Sequence, residues 1–123
     1  MTKKPEILLD PCGLDGPDQQ ALQALCETEG WGLAEGNGEA SVALVAVRDD
    51  FAPIEALARR GQVVIAVLDP HAAGAVAPSL RAGAADCLER PLDSGKTRDA
   101  ILRGAELGRL SKEVSASEQR LWQ

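Results

Sequence analysis

The sequence has no tyrosine, a single phenylalanine (Phe51) and two tryptophans (Trp31 and Trp122). With so few rings, the core must be filled by alanine and the smaller aliphatic side chains. The same shortage argues against a stacking platform for single-stranded nucleic acid. His71 is the one histidine, which excludes a multi-histidine metal site. Cys12, Cys26 and Cys87 are odd in number and widely spaced, with no C-x-x-C pair. They form neither a disulfide framework nor a zinc motif, and read as reduced, mostly buried thiols of a cytosolic protein. No Lys/Arg cluster stands out among 13 basic residues set against 19 acidic ones, a net charge of −6. The chain alone is therefore not expected to grip nucleic-acid phosphates or an anionic membrane. No apolar run is long enough to span a bilayer or to form the core of a signal peptide. A cytoplasmic location is the expectation.

What is present is ordinary for one globular domain: 123 residues, 45% of them apolar and 26% charged. Ile7-Leu8-Leu9 is a short apolar run ended by Asp10-Pro11, which predicts a buried strand opening onto a loop. Asp15-Gly16-Pro17 has the chemistry of a helix start. Ala21, Leu22, Leu25 and Cys26 then recur at helical spacing, and Gly30 closes the helix. Trp31 to Ala34 is a short second strand, and Glu35-Gly-Asn-Gly38 a loop. Val42 to Val47 is continuously apolar, as in a strand covered on both faces of a parallel sheet. Pro53 to Arg60 reads as a short helix, and Val63 to Leu68 as another buried strand, ended by Asp69-Pro70. The helix that follows is interrupted by Gly74 and Pro78, so its first half is expected to be loop, with Gly83 closing it. Asp86 to Glu89 is a last short strand. From about Ser94 the pattern is helical to the end.

Strand and helix alternate five times, which means a doubly wound α/β domain. Such sheets place ligands and chemistry at the carboxyl ends of their strands. Those ends carry Asp10, Arg48-Asp49-Asp50, Asp69 and Arg90, an acidic rim.

The stretch Val63-Val-Ile-Ala-Val-Leu-Asp69, followed by Leu80-Arg-Ala-Gly-Ala-Ala-Asp-Cys-Leu-Glu-Arg-Pro-Leu92, resembles the receiver domain of bacterial response regulators, the CheY-like family. It is similar to that family's fourth strand, its L-x-A-G-A turn and its Lys-Pro ending. Ile7-Leu-Leu-Asp10 resembles the first strand with its acidic tip. The resemblance covers residues 5 to about 110. It implies a flavodoxin-like, five-stranded parallel sheet of order 2-1-3-4-5, and a cis peptide before Pro91. It also implies phosphoryl transfer from a histidine kinase to an aspartate at the end of strand three. Mg²⁺ held by strand-one acids, a lysine and a hydroxyl side chain neutralise the charge in that reaction.

Carried over residue by residue, little of this chemistry remains. The acceptor position falls on Ala46, the hydroxyl position on Leu68 and the aromatic switch position on Cys87. The lysine position falls on Arg90, ahead of Pro91, which keeps the charge but changes its shape and reach. The strand-one acidic pair is reduced to Asp10. Asp49 and Asp50 lie three and four residues past Ala46, roughly 10 Å beyond the usual pocket at strand spacing. They are the candidates for a displaced acceptor, with Asp69 completing the acidic rim. Too few residues separate Ala34 from Val42 for the family's second helix, which is expected to be missing or reduced to a turn.

Two further patterns stand out. Asp69-Pro-His71-Ala-Ala-Gly74 matches the D-x-H-x-x-G signature of cobalamin-binding domains, an alternative small-ligand reading of the same fold. Leu107, Leu110, Val114 and Leu121 fall at heptad spacing, with Ser117 in the remaining slot. Leu102, Ala105 and Leu107 are expected to pack on the domain. Residues past about 112 lie too far along the helix to touch it, at ~1.5 Å per residue.

Residues 1–110 are thus expected to form an atypical receiver, and residues 111–123 a helical extension that acts as coiled coil or connector. The expected role is that of a degenerate receiver without a phosphoacceptor, akin to the receivers of ANTAR-type antiterminators. It would not be an enzyme and would need no cofactor, Mg²⁺ included. It would act on a protein partner or a second copy of itself, with no nucleic acid or membrane engaged by this chain. The contact would use the C-terminal helix and the face that the family builds from its fourth helix, fifth strand and fifth helix.

Overall fold

The computed structural model describes residues 7–14, 16–33, 41–47, 50–70 and 72–121. In chain order its elements are β1 (Leu8–Cys12), α1 (Gly16–Glu29), β2 (Gly32–Leu33), β3 (Val42–Ala46), α2 (Ala52–Arg59) and β4 (Val63–Leu68). A 3₁₀ turn (Ala73–Ala75) then leads into α3 (Val76–Ala82), β5 (Asp86–Glu89) and α4 (Ser94–Leu121). The five strands form one parallel sheet in the order β2-β1-β3-β4-β5. This is the flavodoxin-like, CheY-type arrangement expected from the sequence.

Each face of the sheet carries its own core. Leu9, Val42, Leu44, Ile65, Val67 and Leu88 pack with Leu14 and with Leu22, Leu25, Cys26, Ala100 and Ile101 of α1 and α4. On the other face Val45, Val64, Ala66 and Leu68 pack with Ile54 of α2 and Ala84. The continuous apolar runs of β3 and β4 follow from this double coverage, because both side-chain directions of each strand end in protein.

Two expectations about proline as a stop signal need correction. Asp10-Pro11 does not end the first strand, which continues to Cys12. A proline has no N–H for a ladder, so it reads as a stop. It is accommodated here because β2 reaches only to the level of Leu9. Beyond that point one side of β1 has no neighbouring strand among the described residues, and proline is tolerated on such an edge. Pro78 does not stop α3 either. It lies three residues after the first-turn boundary at Ala75, where helical N–H groups have no intrahelical acceptor to lose.

The end of β2 lies level with the start of β3. Leu33 and Val42 both pair with Leu9, one on each side of β1. The connection therefore starts and finishes at the same height along the strands. Eight residues separate the two strands. Residues 34–40 of that connection, including the end of the predicted strand at Ala34, lie outside the described residues. Ser41 fixes its far end: the Ser41 N–H donates to the Leu8 carbonyl at 2.7 Å, and its Oγ accepts from the Leu8 N–H at 3.2 Å.

α4 lies against the first face through Thr97, Ala100, Ile101 and Gly104, all buried. Gly104 and Gly108 let it approach closely. A Cβ at Gly104 would sit 3.2 Å from Val63 Cγ1 and 3.3 Å from Val42 Cγ2. Ala105 packs against the core as expected, but Leu102 and Leu107 are exposed. The sheet-facing stripe runs through 97, 100, 101, 104 and 108 and leaves both leucines outside it. Asp93 caps this helix: its carboxylate accepts the Lys96 N–H at 2.9 Å, a cap worth about 1 kcal/mol.

Candidate functional site

The carboxyl ends of the strands bring together the loop after β1, the tips of β3 and β4, and the segment after β5. Cys12 pairs with Val45, so Gly13 stands level with Ala46. A Cβ on Gly13 would lie 3.6 Å from the Ala46 Cβ. These two residues, one without a side chain and one with a methyl, occupy the centre of the edge. Leu68 ends β4 and is buried. Cys87 is half-buried on β5 and packs with Leu68's side of the sheet. Backbone pairing continues one step past the strands, with Val47 N–H to Val67 O at 3.0 Å and Arg90 N–H to Leu68 O at 2.9 Å. That step fixes Arg90 at the edge, and the Arg90–Pro91 peptide is cis, as expected.

Asp10 is not at this edge. It pairs with Ala43 in the middle of β1, about 10 Å short of the level of Ala46 at strand spacing. Leu9 belongs to the core under α1 and α4, so by alternation Asp10 points to the opposite face. Over β1 that face carries no helix among the described residues, and Asp10 is half-exposed there.

The side chain of Arg90 is only 20% exposed, and it lies between two carboxylates. Its Nε is 3.3 Å from Asp18 Oδ2 and its Nη1 is 3.4 Å from Asp69 Oδ1. The second contact has hydrogen-bond geometry; the first is an ion pair without it. Among the described residues, Nε and Nη2 are buried and donate to no acceptor. Asp18 was not foreseen from the sequence, although it carries a legible signal. It falls on the same helical stripe as Leu22, Leu25 and Cys26, and all four are buried. A carboxylate on an apolar stripe needs a cation close by, and its place in the first turn of α1 also suits the helix dipole.

Two further acids have structural partners, Asp50 of the rim and Asp86 at the opposite end of β5. Asp50 accepts the Ala52 N–H at 2.9 Å in a turn just ahead of α2, whose N-cap position is Phe51. Asp86 pairs with Arg103 of α4 at 3.0 Å and accepts the Cys87 N–H. Asp49 and His71 lie outside the described residues. Gly74, the last member of the cobalamin-like pattern, sits in the 3₁₀ turn before α3. Burial, and then the charge of Asp86, push the Cys87 thiol above its ordinary value. Burial alone does the same to Cys26. Both stay protonated at neutral pH and are weak nucleophiles.

No family sequence model matches the chain, and no curated protein matches it in sequence. Solved structures do match it in shape. It superposes on NtrX of Brucella abortus with a TM-score of 0.75 at 17% identity, over 94% of this chain and 30% of NtrX. A response-regulator receiver domain protein of Clostridium thermocellum gives 0.70 at 13% identity, over 84% of this chain and 96% of that one. The fold is that of a response-regulator receiver domain. A CheY-like receiver of Methanospirillum hungatei agrees, at 0.65 and 19% identity over 85% of this chain and 96% of that one. The chain thus spans under a third of NtrX and nearly the full length of the isolated receivers.

A receiver fold implies a divalent cation at this edge, and the described residues do not fit one. The strand-tip positions of β1 hold Cys12 and Gly13, while Asp18 and Asp69 face Arg90. Among the described residues, no three His, Cys, Asp or Glu side chains gather as a ligand set. No helix among them is long and apolar enough to cross a membrane.

Proposed function

We propose that this chain is a degenerate receiver, a cytoplasmic signalling module that has kept the fold and lost the phosphoryl chemistry. It catalyses nothing, takes no Mg²⁺, and acts by binding protein, in the first place a second copy of itself. The observation that carries this reading is the pairing of Arg90 with Asp18 and Asp69 beside an edge whose centre is Gly13 and Ala46. A carboxylate nucleophile is missing from the centre, and the cation that would meet an incoming phosphoryl group is already neutralised from two sides. Incubation with acetyl phosphate and Mg²⁺ is expected to leave the intact mass unchanged. A stable acyl phosphate on any aspartate overturns the reading, and mapping it to Asp49 or Asp50 would establish the displaced acceptor instead.

The surface for the second copy follows from the phase of α4. Its sheet-facing stripe is fixed by Ala100, Ile101, Gly104 and Gly108. At about 100° per residue, Arg103 and Leu107 lie roughly a quarter-turn or more away from that stripe. Arg103 reaches Asp86 of β5, so that side of the helix overlooks the β5 edge. Leu107 is 52% exposed on it, and positions 110, 114 and 121 continue the same line. The helix extends thirteen residues past Gly108, about 20 Å. This supports a paired seam in α4 continuous with the α3-β5-α4 face. Light scattering should give a dimer mass for the native chain and a monomer mass for a Leu110→Lys, Val114→Lys variant. Equal masses would remove the seam from the proposal.

A further inference from the structure

A concavity of about 220 Å³ lies between the end of β4, the start of α3 and β5, on the sheet face away from α1 and α4. Leu68, Pro70, Val76 and Cys87 supply apolar walls, and Asp69 and Glu89 line it as well. Leu68 is buried, whereas Asp69, Val76 and Glu89 are exposed, so the pocket has a hydrocarbon floor and an acidic mouth. Its volume is below the range that holds drug-sized ligands. It has room for one ring or a short branched chain.

Charge narrows the class of ligand. Glu89 makes no ion pair with any described residue, and Arg90 is opposed by both Asp18 and Asp69. Two carboxylates, Asp69 and Glu89, line the mouth and no cation lines it, while the Arg90 that meets Asp69 is shared with Asp18, so the mouth is negative. The whole chain carries −6, which attracts cations and repels anions before contact. Cys87 adds no charge of its own, since its thiol stays protonated at neutral pH.

We propose that this pocket binds a small organic cation. Its apolar body rests on Leu68, Val76 and Cys87, and its ammonium group lies at Asp69 and Glu89. Such a ligand bridges β4, α3 and β5. The site borders the α3-β5-α4 face, but its lining does not include α4.

Phenethylammonium is the probe, with 3-phenylpropanoate as the anion of similar shape. In backbone amide spectra of the full chain, the ammonium should give saturable shifts concentrated at residues 68–76 and 87–89. The anion should bind about tenfold more weakly, because it meets charges of its own sign. Cys87→Phe fills the floor and should abolish the shifts. Val76→Arg, a change on an exposed helical position, covers the mouth and opposes its charge, and should abolish them with the fold intact. Three outcomes overturn the proposal: no saturable response to phenethylammonium, equal binding of the anion, or undiminished binding by Val76→Arg.

Discussion

Replacing Gly83 by alanine is expected to destabilise the protein by about 2–5 kcal/mol, the sum of two separable costs. Gly83 follows α3 with φ at +118° and receives the chain in the left-handed region. An alanine there costs about 1–2 kcal/mol in backbone strain. Its Cβ would also stand 2.5 Å from the Cβ of Ala58 on α2, and forced overpacking adds about 1–3 kcal/mol. The contact matters because α2 and α3 cover the same face of the sheet and meet at this glycine. Urea denaturation of Gly83→Ala, Ala58→Gly and the double variant separates the two costs. Removing the Ala58 methyl should recover the overpacking part and leave the strain. A Gly83→Ala variant as stable as the native chain would show that the two helices do not meet this closely.

Loss of Arg90 should be nearly as damaging. Arg90→Met strands Asp18 on the buried stripe of α1, where it is 8% exposed among Leu22, Leu25 and Cys26. Removing one partner of a buried ion pair costs about 3–5 kcal/mol in general. The absence of an aligned hydrogen bond between the two groups puts the expectation here at about 2–4 kcal/mol. Adding Asp18→Leu should restore most of the loss, because an apolar pair of similar volume needs no charge compensation. The comparison is of urea midpoints at constant slope. If the double variant is no more stable than Arg90→Met, the guanidinium supports the edge through Asp69 or through packing rather than through Asp18.

The fold was legible where local signals agreed. Val63–Leu68 and Asp86–Glu89 fall at their predicted positions, as does the stop at Gly83. Apolar runs, turn chemistry and the spacing of the Ala-Gly-Ala turn all point the same way in this segment. The first strand was misread because proline's missing donor is a local fact, while the open side of β1 that accommodates it is set by β2, more than twenty residues away. Leu102 was misassigned because a stripe of glycine, alanine and threonine makes a weak apolar signal, and a leucine beside it draws the eye. At the site, Ala46, Leu68, Cys87 and Arg90 were found through the resemblance and lie together at or near the strand ends. Asp10 was drawn in by the early end given to β1. Asp18 was overlooked because a lone aspartate near a helix start normally reads as a cap. Only the four-residue step to Leu22 marks it as inward-facing.

Pro11 has one more consequence. Among the described residues no strand lies beside the outer side of β1 past Leu9, and a strand left open in this way is a template on which another chain can add itself and begin an aggregate. Proline interrupts the row of donors at that place and adds a ring that hinders close approach. The residue that disguised the end of the strand in the sequence thus also guards the open half of β1 against intermolecular sheet growth, which leaves the opposite edge of the sheet for the association proposed above.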